Sequence, residues 1–570
     1  MTLGAAGVVV AVVPAVTVGP TSAATTVTPA AAAHLTLVLD GRTYVIPADA
    51  QLLVASGALD LSLFEAGATS AWRDLTEPDP AVGGVGLGSR RMRSGAHVRP
   101  RESPPSATAV GITVRYLDRA GRPTATAYSM LRNVDDPSVF AFVVPEPDGT
   151  GRATLPAGRY LMESTVDTPR PGRADPAVSV TVNPLLSVDR ATDLVVDARA
   201  ARPVSVTVPD RAAAGVGALA AFRRTVTGGQ VRSVYGSPDV TALFTLHDGP
   251  TTPPADFESA VGVLFARLPV VYATGWRRDG AFFTGFRQRV AESDLSTVRA
   301  RFDTVAPGRA AVRSYGIALS SGAAAQSLGI DSLPADRIER YAGNARWATV
   351  LTEYAAGTEF ADAVTQEQTP TAYAPGRTYA ERWNATPYWP APRVTRDGSR
   401  LFARFAMFSD ASGIREGTGS TSHAQVDLYR DGVLVGTASQ LDGAAFPFVA
   451  GRHTLTATAE RSWTPIAART TATWTFTTAA PGTLSLPSIR FTTAGPRTLQ
   501  VHAMGGVPLR SLTVDASYDG GRTWHPATLT AGSAILPRDP GGSPVSLRTR
   551  ATDRTGATVD QTTINAYVAN

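Results

Sequence analysis

From Val110 to the C-terminus the chain is written in short runs that alternate apolar and polar residues, each closed by turn-forming residues. Gly111-Ile-Thr-Val-Arg-Tyr-Leu117 alternates, breaks at Asp118-Arg-Ala-Gly121-Arg-Pro123 and resumes from Thr124 to Leu131. Ala424-Gln-Val-Asp427-Leu-Tyr-Arg430 runs into Asp431-Gly432 and then Val-Leu-Val, the signature of a tight hairpin. A period of two sends successive side chains to opposite faces of a strand, so this pattern predicts strands with a buried face. Many short strands with frequent turn signals predict sandwiches. Only Ser293-Asp294 to Phe302 reads as a helical turn or two. The expected fold class is all-β, in several tandem β-sandwich units.

Composition narrows the rest. The chain has 52 Gly and 42 Pro, which favour turns over helix interiors. It has no Cys, so disulfides, Cys-based zinc sites and a catalytic thiol are excluded, and its stability must come from packed cores. The net charge is +5, and every basic side chain is arginine. Arginine suits phosphate, but here it is scattered and forms no stripe. It reads as codon bias in a GC-rich genome, and no nucleic-acid partner is expected. Gly4 to Val18 is an apolar run followed by Thr21-Ser22-Ala23-Ala24, as in a secretory signal. The basic start of such a signal is missing, which points either to a start codon assigned too late or to impaired export. No segment is apolar for long enough to span a bilayer, so no membrane span is expected and the protein is read as secreted and monomeric.

Two regions resemble parts of one family. Tyr44-Val-Ile-Pro47-Ala-Asp49-Ala-Gln-Leu-Leu-Val-Ala-Ser-Gly57-Ala-Leu59-Asp60-Leu-Ser-Leu-Phe64 resembles the end of the propeptide in large secreted subtilisin-like serine proteases of bacteria. Before it, His34 to Ile46 alternates about Asp40-Gly41 as a hairpin would, and Pro47-Ala-Asp49 opens a short helix that Gly57 can end. From about residue 110 the chain resembles the long all-β region that follows the protease domain in that family. Asp148-Gly149-Thr-Gly151-Arg-Ala-Thr-Leu155-Pro156-Ala-Gly158-Arg-Tyr160 resembles the turn and strand of small prealbumin-like sandwiches, and Val545 to Thr562 resembles the family's closing Ig-like unit. Only about forty residues separate the two regions, too few for a catalytic domain. The resemblance therefore implies accessory regions of a protease without its protease domain. The expected division is a signal-like segment (1–33), a small α+β propeptide-like remnant (34–75), a flexible linker (76–108), a small β-sandwich (109–200), a larger sandwich region (201–390), an Ig-like unit (391–480) and a C-terminal Ig-like unit (481–570), the last expected to fold alone.

The motifs point away from catalysis. The family's serine, histidine and aspartate motifs are all missing, and none of the seven histidines is followed by Gly-Thr-His. Gly417-Thr418-Gly419-Ser420-Thr421-Ser422-His423 echoes the serine motif with the wrong spacing and reads as a loop. Asp135-Asp136 reads as a solvated turn, not a calcium loop. No catalytic residue, metal or cofactor is expected. Ser517-Tyr518-Asp519-Gly520-Gly521-Arg522-Thr523-Trp524 fits the Asp-box pattern, a structural turn in which Ser517, Asp519, Gly521, Thr523 and Trp524 carry the geometry. Tyr373, Tyr379, Trp383, Tyr388 and Trp389 cluster in sequence. Core packing and stacking on a sugar or peptide both suit them, with Tyr379, Trp383, Tyr388 and Trp389 the stacking candidates. The expected function is a non-catalytic interaction or structural module whose partner is an extracellular protein or polysaccharide. The alternatives are a serine-type peptidase, as the family would suggest, and a carbohydrate-binding or carbohydrate-active protein.

The Pro-, Gly- and Arg-rich composition of 76–108 makes one expectation directly testable. Limited trypsin digestion is expected to cut there first and to leave a stable fragment starting near residue 100. A first cut within 110–200 would contradict the boundary.

Overall fold

The computed structural model describes residues 109–568, except 359, 478–480, 539–541 and 543, together with the backbone strands His34–Leu39 and Arg42–Pro47. The signal-like segment, the short helix expected after Pro47 and the 76–108 linker lie outside the described residues. What is described is all-β, arranged as packed sheets, and its only helical element is the 3-10 turn Glu292–Asp294. The stretch expected to be helical as far as Phe302 is instead the strand Ser296–Phe302. Ser296, Val298, Ala300 and Phe302 are buried at every second position. Strands Ala335–Gly343 and Thr378–Trp383 pair with it on either side. Pairing on both edges and a two-residue period overrode the local turn signal.

Four sheets stack in the first two-thirds of the chain. A three-stranded sheet (Ala109–Leu117, Thr150–Pro156, Thr192–Asp197) packs on a seven-stranded one, which packs on a nine-stranded one, which packs on a five-stranded one. The two middle sheets are buried on both faces. In the seven-stranded sheet Leu131, Tyr160 and Met162 join the core on one side, and Met130 and Leu161 the core on the other. In the nine-stranded sheet Ala218, Ala220 and Phe222 face one way, and Leu219 and Ala221 the other. This is why strands such as Ala214–Val226 and Phe257–Arg267 carry continuous apolar runs where one-sided strands alternate. Close approach of the nine- and five-stranded sheets needs glycine. A Cβ on Gly262 or Gly275 would lie 2.7 or 2.8 Å from Ile317 Cδ1.

The remaining third forms a second core. The sheet of Ala444–Pro447, Arg400–Ser409, Trp389–Asp397 and Gly482–Leu484 and the sheet of Ser488–Gly495, Thr498–Met504, Ser533–Ile535 and Thr528–Thr530 pack on one eight-stranded sheet. Trp474 sits at its centre, stacked on Phe405 with ring centroids 5.3 Å apart, its indole N–H donating to the Pro487 carbonyl at 2.8 Å. Several sheets run past the boundaries drawn from sequence. His34–Leu39 pairs with Gly229–Ser237, so the hairpin extends the nine-stranded sheet. Thr558–Tyr567 pairs with Arg469–Thr477, so the eight-stranded sheet crosses position 480.

That shared sheet sets an expected outcome. A fragment of residues 391–570 melts in one cooperative transition by circular dichroism. A fragment of 481–570, stripped of the strand that covers Thr558–Tyr567, exposes an apolar sheet edge and melts at a markedly lower temperature or self-associates. Equal midpoints for the two would show that the last unit is independent.

Candidate ligand cleft

The clustered aromatics lie mainly in the interior. Trp383 is fully buried, with the guanidinium carbons of Arg313 and Arg415 each 3.8 Å from its ring centroid. Its indole N–H donates to Glu381 at 2.9 Å, and Arg415 donates to the same carboxylate at 2.8 Å. Arg313 is paired to Glu339 at 3.0 and 3.2 Å, and the hydroxyls of Tyr315 and Tyr341 donate to that carboxylate at 2.9 and 2.6 Å. Burial pushes the Glu339 carboxyl up, but Arg313 and the tyrosine hydroxyls outweigh burial and hold it below its ordinary value. Tyr388 is buried and donates to Asn384 Oδ1 at 2.5 Å, and Trp389 donates to the Asp410 carbonyl at 2.9 Å. Tyr373 stacks on Tyr341 at 4.4 Å. Of the four stacking candidates only Tyr379 is partly exposed, so the group does not present a face to a sugar. Core packing is what the structure shows for Trp383 and Tyr388, while Trp389, 3% exposed, packs in the interior and also lines a cleft.

The Asp-box is a closed turn. Asp519 Oδ1 accepts from the Ser517 hydroxyl at 2.7 Å and from the Arg522 and Thr523 amides at 2.9 Å each, and Oδ2 accepts from the Thr523 hydroxyl at 2.6 Å. Those bonds hold the Asp519 carboxyl far below the usual carboxylate range. Gly521 has φ +88°, and a Cβ there would meet Ile564 Cδ1 at 2.7 Å. Trp524 is half-buried, with the Arg548 guanidinium 4.7 Å from its ring centroid. Asp136 Oδ1 accepts from the Ser138 amide at 3.1 Å, and Asp135 pairs with Arg159, as in a surface turn. Gly417 to Gly419 lie within the strand Arg415–Gly419. Among the described residues no group of three or more His, Asp or Glu is placed to hold a metal ion.

The structure assembles a site the sequence did not announce. A cleft of about 1400 Å³ opens where the edge of the five-stranded sheet meets the strands Trp389–Asp397 and Arg400–Ser409. Arg393 and Arg404 stand directly opposite each other on those two strands. Glu416, from the edge strand of the other sheet, reaches between them. It pairs with Arg393 Nε and accepts from Arg404 Nη1 at 3.1 Å, and its side chain is only 3% exposed. Arg404 Nε also pairs with the exposed Asp442 at 3.2 Å. The walls carry Gln366, Thr418 and Gln440, with Phe402 offering a partly exposed ring. The sequence did hold half of this signal. Asp397-Gly398 marks a hairpin, and residues 393 and 404 are mirror positions about it. Nothing local marks Glu416 as their partner.

The two buried carboxylates of the cleft, Glu367 and Glu416, do not form an acid–nucleophile pair. Glu367 and Glu416 lie on neighbouring strands, but Glu367 is opposite Arg415 and Glu416 opposite Gln366, so the two carboxylates project from opposite faces. Glu367 accepts from the Thr349 amide at 3.1 Å on the buried side, where burial raises its pKa. Glu416 is fully engaged by two arginines.

Three substitutions test these readings. Trp383→Ala, which leaves two guanidiniums facing a void, is expected to cost about 3–5 kcal/mol in denaturant unfolding, and Glu339→Gln a similar amount by leaving Arg313 unpaired. Asp519→Ala is expected to lower the melting temperature at pH 7. Because the folded carboxyl is held below its unfolded value, that stabilisation exists above the unfolded pKa and fades as pH falls. The gap between wild type and variant therefore narrows below about pH 4. A gap that widens with acid would contradict the turn assignment.

No protein-family model and no curated protein matches the chain. Among solved structures it is similar to the Bacillus anthracis TIE protein, at 10% identity and a TM-score of 0.12 over 48% of this chain and 50% of that one. It is also similar to BcpA, the major pilin subunit of Bacillus cereus, at 8% identity and a TM-score of 0.13 over 48% of this chain and 98% of that one. Immunoglobulin domains 1–5 of Sidekick-1 align at 10% identity and a TM-score of 0.10 over 76% of this chain and 91% of that one. The chain thus spans about half the length of the first of these. The assignment as tandem β-sandwiches stands on this chain's own sheets.

Proposed function

We propose that this chain is a secreted, non-catalytic β-sandwich protein that holds an extended extracellular ligand in the cleft around Glu416, and that it derives from the accessory regions of a subtilisin-like protease. The observation that carries the binding reading is the cleft itself. It is large, lined by hydrogen-bonding side chains from several strands, and pre-ordered by an Arg–Glu–Arg arrangement. Pre-ordered polar groups fix a ligand's orientation without the entropy cost of ordering them on binding. Support for the non-catalytic reading comes from the same residues. No histidine lines the cleft, and of its two buried carboxylates Glu416 is paired with two arginines while Glu367 projects from the opposite face of its sheet. The protease ancestry rests on the residues from Tyr44 to Phe64 and on the closing strands from Val545 to Thr562.

The full chain would be screened by biolayer interferometry against immobilised polysaccharides and extracellular proteins, beside a Thr418→Arg variant that fills the cleft. The expected result is retention of at least one surface polymer by the wild type and its loss in the variant. Binding that survives Thr418→Arg places recognition elsewhere. Casein cleavage, or heat-sensitive labelling of a serine by a fluorophosphonate, would overturn the non-catalytic assignment.

A further inference from the structure

The arginine pair carries the ligand's chemistry further. Two guanidiniums directly opposite each other on paired strands repel, and a protein that only needed a stable hairpin would avoid the arrangement. Here a carboxylate from another sheet holds both in place. Glu416 engages Arg393 through Nε and Arg404 through Nη1, which leaves the two Nη groups of Arg393 and Nη2 of Arg404 without a partner among the described residues. Their side chains are 49% and 31% exposed, and both line the cleft. Asp442, which takes Arg404 Nε, is 73% exposed and held by that one bond, so an incoming anion can displace it. A second, independent feature sits in the same cleft. Ser488 lines it, is 1% exposed, and has a hydroxyl with no hydrogen-bond partner. Buried hydroxyls are ordinarily satisfied, so an orphan at a cleft wall marks a place for a ligand atom or a water that a ligand would replace.

We infer that the cleft takes a carboxylate-bearing polysaccharide, with Arg393 and Arg404 as a fork for its carboxylate groups; this rests on the cleft being a binding site. Planar guanidinium groups match carboxylates in geometry and charge. An acidic peptide would present the same carboxylates, but its backbone needs a long free sheet edge to pair with. The strand edges in this cleft are short: Gly482–Leu484 spans three residues and Arg415–Gly419 five. The walls offer amides and hydroxyls at Gln366, Thr418, Ser439 and Gln440 and a partly exposed ring at Phe402, a surface suited to sugar hydroxyls and an apolar sugar face.

The test is calorimetric titration of the full chain with oligogalacturonate, with neutral galactan oligomers of equal length, and with poly-glutamate. Oligogalacturonate is expected to bind at least about tenfold more tightly than the other two, with affinity falling as salt rises. Arg393→Gln and Arg404→Gln are each expected to weaken it about tenfold. Ser488→Ala, which leaves the ion pairs intact, is expected to weaken binding several-fold with no fall in melting temperature, and it keeps the test open if an arginine variant fails to fold. Equal binding of neutral galactan, or affinity untouched by the arginine and serine variants, overturns the carboxylate assignment while the binding role of the cleft stands. Equal binding of poly-glutamate overturns the choice of polysaccharide. Binding of none of the three overturns the inference, and the wider polymer screen then decides whether the cleft binds anything.

Discussion

The stacking of Trp383 between Arg313 and Arg415 holds the two halves of the central stack together. Trp383 and Glu339 belong to the nine-stranded sheet, and Arg313 and Arg415 to the five-stranded one. Each charge is answered: Arg313 by Glu339, Arg415 by Glu381. A buried guanidinium is costly to desolvate, and such a pair is stable only where geometry and further hydrogen bonds are complete. The tyrosine hydroxyls and the indole N–H supply most of them here, and Arg313 Nη1 and Arg415 Nε are left without a hydrogen-bond partner among the described residues. The result is a polar clamp with one arrangement, where a purely apolar interface could slide. Its last member, Arg415, directly precedes Glu416 in an edge strand, so the clamp also fixes the carboxylate that orders the cleft.

Without disulfides the remaining cohesion comes from sheets that are buried twice. A sheet covered on both faces removes nearly all its side chains from water, which is how a chain with few charges and no Cys can hold several layers. The price is sequence freedom at contact points such as Gly262 and Gly275, where Ile317 fills the space a Cβ would occupy. The second core is joined to the first by buried side chains. The Thr464 hydroxyl donates to the Val305 carbonyl at 2.9 Å, and the Arg309 guanidinium lies 4.6 Å from the Trp463 ring centroid. The cleft forms where these two packing systems meet, which is where sandwiches leave space between their edges.

Strand content was legible in the sequence because it depends on local alternation and turn chemistry. Asp431-Gly432 takes φ values of +49° and +84°, and the hairpin it predicted is present. The Asp-box was legible for the same reason, since the bonds of Ser517 and Asp519 that close the turn span four residues or fewer. Trp524 was less so: the motif names the residue, but how deeply it is covered depends on Arg548 and on Ile564 beside the turn, both remote in sequence. The aromatic cluster was visible as a cluster, but its use was not. Trp383 is an interior residue because Arg313, seventy residues earlier, and Arg415, thirty-two later, close over it.

By itself, then, the sequence determined an all-β chain whose cohesion is not covalent, because period-two patterning, turn residues and the lack of Cys are local facts. Only the tertiary structure decided which sheets share strands across the apparent boundaries, which face of each strand is covered, and that Glu416 sits between Arg393 and Arg404. Those choices rest on pairings between residues far apart in the chain, and a strand edge or an unpaired guanidinium has no local mark of the partner that will satisfy it.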